Sequence, residues 1–351
     1  MALSRMRRAA AVAAVAVLSL SACSTGSAGG NEGGGSGSST PAAADSFPVT
    51  IEHVFGETTI ESAPERVAAV AWSNAETALA LGVVPVGMPT IDYGGNEQGT
   101  TPWIDAALEE LDAPLGSENA PVQYSETDGI AFDDIAATNP DVILAAYSGL
   151  SQEDYDKLSK IAPVVAYPEA EWGTSWQETA TMTGAALGLA DEADQLVADT
   201  EQSIKDAAAD HPELEGKSFI YGNLAKGATS IYTALDNRPK FLTELGMVQA
   251  PIVEENSPAG EFYFAWADED ANQLESDVFV TWVADDAAAA SLAADPLLGQ
   301  IPAVKNGGLV ADSDAERVFS VSAINVLSIP YALDNVVPMI AEAAAAADAA
   351  K

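Results

Sequence analysis

The 351-residue chain carries 53 Asp and Glu against 14 Lys and Arg, a formal net charge of -39 at pH 7. Such a field repels phosphate backbones, and the few basic residues form no run outside the extreme N-terminus, which excludes nucleic acid as a partner. At 48% hydrophobic residues the chain is too apolar for disorder and long enough for two packed lobes, while its single Cys excludes an internal disulfide and a cysteine-based zinc or iron-sulfur centre.

Residues 1–22 read as a signal peptide: Arg5, Arg7 and Arg8 are followed by an apolar stretch, Ala9 to Leu20, too short to span a bilayer comfortably. Leu20-Ser21-Ala22-Cys23 resembles a bacterial lipobox, which implies that Cys23 is acylated and becomes the new N-terminus. Residues 23–45 are Gly/Ser-rich without apolar periodicity, a flexible tether reaching on the order of 25 Å.

Globular patterning begins with a hairpin signal, Val49 to Phe55, a turn at Gly56, and Thr58 to Ile60. Arg66 to Trp72 reads as a buried parallel strand, and Ser73-x-x-Glu76 as a capping box opening a helix that stops at Gly82. The same grammar returns between Asp133 and Tyr167: a helix to Thr138, the strand Asp141 to Ala146, a helix opened by Ser151-x-x-Asp154, and a strand at 163–167. A weaker copy lies 136 residues on, where 135–144 align with 271–280. Between the halves, Ser175-x-x-Glu178 opens a helical stretch with apolar or small residues at 176, 180, 183, 187, 193, 196, 197, 200, 204 and 207, ending at His211-Pro212. The fold class is α/β: two Rossmann-like lobes, 46–172 and 211–351, joined by one long rigid α-helix over 173–210, with a ligand cleft between them.

These pieces resemble the iron-siderophore substrate-binding lipoproteins of ABC importers, the helical-backbone class of periplasmic binding proteins that also includes cobalamin and haem binders. The likeness is carried by Cys23, Ala63-Pro64-Glu65-Arg66-Val67, Leu79 to Gly87, Pro140 to Leu144 and Leu158 to Val164. Trp176-Gln177-Glu178 and Leu327 to Leu333 complete it, so that it spans roughly residues 47–340. The resemblance implies a monomeric extracytoplasmic receptor, lipid-anchored at Cys23 to the outer face of the cytoplasmic membrane. It would bind a ferric siderophore without chemistry or cofactor and deliver it to an ABC transporter permease. In this family an exposed acid on each lobe docks on the permease; by position these are Glu153 and Asp295.

Direct metal capture needs several converging ligands, and the two His, His53 and His211, read as surface or structural residues. Iron should therefore arrive inside its chelator, which calls for flat side chains and a few cations or hydroxyls in the loops after strand ends. Trp72, Tyr93, Trp103, Tyr147 and Trp172 supply these in the first lobe; Lys226, Tyr232, Arg238, Trp282 and Arg317 supply them in the second. So few cations favour a neutral or cationic ferric hydroxamate over an anionic catecholate.

Absence of G-x-G-x-x-G, G-x-x-x-x-G-K-[ST] and G-x-S-x-G from the folded part, with only two scattered His, argues against an enzyme. The alternatives are a cobalamin or haem receptor, for which Tyr93, Tyr147 or Tyr232 could be an axial ligand, and a surface lipoprotein without transport.

Overall fold

The computed structural model describes residues 47–350, so the leader, Cys23 and the tether lie outside the described residues. Among the described residues no helix is long and apolar enough to cross a membrane. The chain opens with the antiparallel hairpin β1 (Val49–His53) and β2 (Gly56–Ile60), in register from Val49 opposite Ile60 to His53 opposite Gly56. Strand alternation turns Ile51, His53, Thr58 and Ile60 to the buried side. His53 is structural: its Nε2 lies 2.9 Å from Thr58 Oγ1, and burial lowers its pKa.

The first sheet alternates strand and helix: β3 (Val67–Ala69), α1 (Asn74–Ala80), β4 (Gly87–Pro89), α2 (Pro102–Glu110), β5 (Val122–Tyr124), α3 (Phe132–Ala137), β6 (Val142–Ala145), α4 (Gln152–Leu158) and β7 (Val164–Ala166). All five strands are parallel, in the order β5-β4-β3-β6-β7. The unbroken apolar runs follow, because both faces are covered. Val67, Ala69, Val142 and Leu144 face α1 and α2, whereas Ala68, Val70, Ile143 and Ala145 face Ile135 of α3 and Leu158 of α4. Fully burying one Val or Leu of such a run contributes roughly 1.5–3 kcal/mol.

The stretch expected to form one helix is two, α5 (Trp176–Leu187) and α6 (Ala190–Asp210). Gly188 ends α5 in the left-handed region (φ 72°), its N–H reaching back to the Ala185 carbonyl and the Leu189 N–H to that of Gly184. A Cβ at Gly184 would stand 2.3 Å from Ala193 Cβ, so the elbow packs too tightly for any other residue there.

The second sheet comprises β8 (Ser218–Asn223), β9 (Ser230–Tyr232), β10 (Val248–Gln249), β11 (Tyr263–Ala265), β12 (Val278–Trp282) and β13 (Leu309–Asp312). Its main path runs β11-β9-β8-β12-β13; β10 pairs with the first two residues of β8 and β9 with the last two. The helices are α7 (Asn237–Glu244), α8 (Pro251–Asn256), α9 (Asp286–Ala294), α10 (Pro302–Lys305), α11 (Ala315–Ser322), α12 (Ser328–Asn335) and α13 (Val337–Ala349). The 136-residue offset carries α3 onto the 3-10 helix Asp268–Gln273 and the start of β6 onto that of β12. Each of those strands has the same place in its sheet, β6 between β3 and β7, β12 between β8 and β13. The segment α11–α12 serves both sheets: Phe319 and Ala323 enter the first core, Val321, Ile324 and Ile329 the second.

Candidate ligand cavity

A cavity of about 490 Å3 opens where the carboxyl ends of β3, β4 and β6 face those of β8 and β12. One wall is aromatic. Trp72, just past β3, is turned outward by left-handed backbone on both sides, Ala71 (φ 57°) and Ser73 (φ 68°), which leaves it 41% exposed. Asn74 holds that turn: its Nδ2 donates to the carbonyls of Val70 (2.8 Å), Trp72 (3.0 Å) and Tyr147 (2.9 Å), and its Oδ1 accepts the Tyr147 N–H (3.1 Å). One amide thereby joins the ends of β3 and β6. The expected capping box at Ser73 and Glu76 does not form. Ser73 Oγ instead donates to the carbonyl of Ala323, and Glu76 is buried, its carboxyl pushed up to about 7 by desolvation. Ser151 and Ser175 do cap their helices, accepting from Asp154 N–H and Glu178 N–H.

Trp172 adopts φ 57° and donates its N–H to Ser148 O at 3.0 Å. Its ring lies 5.8 Å from Trp72 and 5.5 Å, edge-on, from Tyr147. Tyr93 from the loop after β4 completes this wall and meets Trp282, the last residue of β12, at 6.4 Å. Burial raises the Tyr93 pKa, helped by the charges of Asp312 and Asp314.

The facing wall is polar. Asp236 caps α7 through the Arg238 N–H (2.9 Å) and grips the guanidinium twice, from Nε at 2.8 Å and Nη2 at 2.6 Å. The side chains of Arg238 and Asp236 are only 13% and 4% exposed. Burial opposes the guanidinium charge, but Asp236 outweighs it and holds Arg238 above its usual pKa. Arg238 also lies 3.5 Å above the Tyr232 ring. The cavity's lining cation is thus matched by a lining anion. Asn223 and Ser230, paired across β8 and β9, and Phe262 and Tyr263 at β11 complete this wall, with Val318, Phe319 and Ser322 of α11 beneath.

Trp72, Tyr93, Tyr147, Trp172, Tyr232, Arg238 and Trp282 therefore line one cavity, and Trp103, Lys226 and Arg317 do not. Trp103 is core: it stacks on Phe319 at 6.4 Å and 9°, backing a cavity residue from behind. Arg317 is bound to Asp312 (2.7 and 3.1 Å) and Asp314 (3.4 Å). Lys226 extends into solvent, 74% exposed, and pairs with Asp295. Asp295 is itself committed, since its carboxylate accepts the N–H groups of Leu297 and Leu298 as well as Lys226 and is 11% exposed, which leaves little for a docking role. Glu153 is 79% exposed and pairs with Lys157 across one helical turn. Asp236, two residues before Arg238, joins the cavity lining as the anion that matches it. Tyr263 was missed because the short strand it begins was not recognised; that strand pairs it directly with Tyr232.

A two-sheet α/β body with an aromatic cavity at facing strand ends defines a solute-binding protein. The family model described as periplasmic binding protein matches residues 67–315, and the chain belongs to that family. It is 24% identical over 311 residues to the probable siderophore-binding lipoprotein YfiY of Bacillus subtilis, covering 85% of this chain and 90% of YfiY. It is also 24% identical to the Fe(3+)-citrate-binding protein YfmC of the same organism, covering 75% and 76%. Among solved structures it is similar to PiaA of Streptococcus pneumoniae TIGR4 in complex with ferrichrome, with TM-score 0.78, 35% identity, and coverage of 85% of this chain and 99% of that one. A periplasmic solute binding protein of Mycobacterium smegmatis follows at TM-score 0.70 and 28% identity, covering 84% and 98%.

Proposed function

We propose that this protein is an extracytoplasmic receptor that binds a ferric siderophore in the cavity between its two sheets, performs no chemistry on it, and passes it to an ABC importer. The observation that carries the reading is the pairing of an aromatic wall with a charge-neutralised one. A ferric chelate presents a bulky, partly apolar exterior, and its outer amide and carbonyl groups fit Tyr, Ser and Asn hydroxyls and amides. Because Arg238 is already matched by Asp236, the cavity supplies no net positive charge to attract a trianion. That favours a neutral or cationic ferric hydroxamate over a catecholate. The chelates named for PiaA and YfmC bracket this choice, ferrichrome on one side and ferric citrate on the other. The binding residues in this reading are Trp72, Tyr93, Tyr147, Trp172, Tyr232, Arg238 and Trp282. Iron is the cargo and not a cofactor.

Lipid anchoring at Cys23, a monomeric state, and two lobes, 46–172 and 211–351, meeting across the 173–210 helices belong to the same proposal. Glu153 is its docking contact on the first lobe. Tryptophan-fluorescence titration of the protein against ferrichrome, ferrioxamine B, a ferric catecholate, ferric citrate, haem and cobalamin, with the metal-free chelators as controls, tests it. Saturable submicromolar quenching by a ferric hydroxamate is expected. A response to haem or cobalamin alone overturns the ligand class, and silence across the panel overturns the receptor reading.

A further inference from the structure

Gly149 lines no part of the cavity, yet an ideal Cβ built on it would stand 2.3 Å from Trp172 Nε1, 2.7 Å from Cε2 and 3.0 Å from Cζ2. These are overlaps with a rigid ring, so any side chain at 149 forces the indole to move by roughly 1 Å or more. The backbone of Gly149 is not among those with positive φ, so alanine fits its conformation and the whole effect of the change falls on Trp172. The indole cannot retreat by shifting its main chain. The main-chain N–H of Trp172 is bound to Ser148 O, the neighbouring Gly173 carbonyl accepts from Lys240 Nζ (2.6 Å), and the Thr174 carbonyl accepts from Asn237 Nδ2 (2.8 Å). Tyr147 lies against one edge and Trp72 flanks it. The open side is the cavity.

We infer that Gly149 is a specificity-determining positioning residue: by leaving room for the Trp172 indole behind the wall, it sets how wide the cavity is for a bulky ligand. The inference rests on the proposed reading of the cavity as a chelate site, but its geometric half does not. Lys240 and Asn237 sit on α7 beside Arg238, so the segment that anchors Trp172 is also tied to the polar wall. A displaced indole therefore narrows the space between fixed walls.

The test is a double-mutant cycle with Gly149→Ala and Trp172→Ala in the full chain, read by ferrichrome titration, thermal unfolding, and the indole N–H resonance of Trp172 in proton–nitrogen correlation spectra. Gly149→Ala alone should weaken ferrichrome about tenfold, lower Tm, and shift the Trp172 indole resonance, whose nitrogen is the nearest atom to the new methyl. In the Trp172→Ala background the same substitution should change neither affinity nor Tm, because the ring it would strike is gone. An unmoved resonance, unchanged ferrichrome affinity, or equal losses in both backgrounds overturns the inference. If the unmutated protein binds no chelate, the receptor reading falls, and the resonance and Tm cycle still decide whether Gly149 positions Trp172.

Discussion

The two walls of the cavity are built by different means. The aromatic wall stands on irregular backbone: Ala71, Ser73 and Trp172 are all left-handed without being glycine, and side-chain bonds from Asn74 and Glu126 hold the turn around Trp72 in place. The polar wall stands on regular elements, with Tyr232 in β9, Trp282 in β12, and Arg238 in the first turn of α7. Shape is thus set by strained turns and charge by a helix cap. The aromatic side should respond to changes in what supports its turns, the polar side to changes in charge balance.

The largest effect is expected where that balance is broken. Arg238→Ala leaves Asp236, 4% exposed, without its counter-charge, and removing one partner of a buried pair costs about 3–5 kcal/mol. Urea unfolding should show that loss, and Arg238→Met combined with Asp236→Asn should recover most of it. If the single and double variants are equally unstable, the pair is not what stabilises this wall.

The region behind the aromatic wall should instead report pH. Glu76, 2% exposed, is pushed up from 4.5 to about 7 by burial, so the folded protein retains a proton that the unfolded chain gives up. Its contribution is intact below about pH 4.5, and stability falls as pH rises towards 7, levelling above it. At about 1.4 kcal/mol per pH unit the loss is on the order of 3 kcal/mol. Glu126, whose carboxyl is also raised to about 7 by burial while accepting the Ala71 N–H, adds in the same direction. Glu76→Gln should roughly halve the fall of Tm between pH 5 and 7.5, leaving the part due to Glu126, and an unchanged slope would show that Glu76 does not contribute.

The difference between the walls also explains what was legible in the chain. Strands β3 and β6 announce themselves because burial on both faces demands continuous apolar residues, β12 shows only as a weaker copy of β6, and residues directly after such runs, such as Trp72 and Tyr147, follow at the cavity from order alone. The break in the linking helix was present as a gap of six between the apolar positions 187 and 193, where a continuous helix would show three or four, with Gly188 inside it. The capping box failed for a reason local sequence does not carry, since Ser73 Oγ is drawn to a carbonyl 250 residues away. Arg317 and Trp103 fall outside the cavity lining for a similar reason: a loop or helix start gives proximity to the cavity, whereas contacts with Asp312 and Phe319, which no local pattern carries, engage the side chains.

Two substitutions sharpen the contrast in binding. Asp236→Asn keeps a capping side chain but frees the Arg238 charge towards the cavity, so affinity for ferric citrate should rise on the order of tenfold, with ferrichrome nearly unchanged. Isothermal titration of both ligands measures this, and an equal change for the two would mean that charge does not select between them. Trp72→Ala should show the opposite pattern. It removes an aromatic contact worth about 0.5–1.5 kcal/mol, weakening ferrichrome by roughly two- to tenfold. Because the ring is 41% exposed, Tm should barely move.

The smallest expected effect is at Lys226, and it tests where the polar wall ends. Lys226 looks like a second cation beside Arg238, but it is 74% exposed and its partner Asp295 is already held by the Leu297 and Leu298 amides. An exposed pair of this kind contributes about 0.2–1 kcal/mol, and salt screens it further. Lys226→Ala should therefore leave affinity for neutral and anionic chelates alike within error, and the small Tm change should disappear at high salt. A selective loss of the anionic ligand would instead place Lys226 in the bound complex and extend the polar wall along the loop after β8, making the Arg238–Asp236 pair only part of what decides the charge of the cargo.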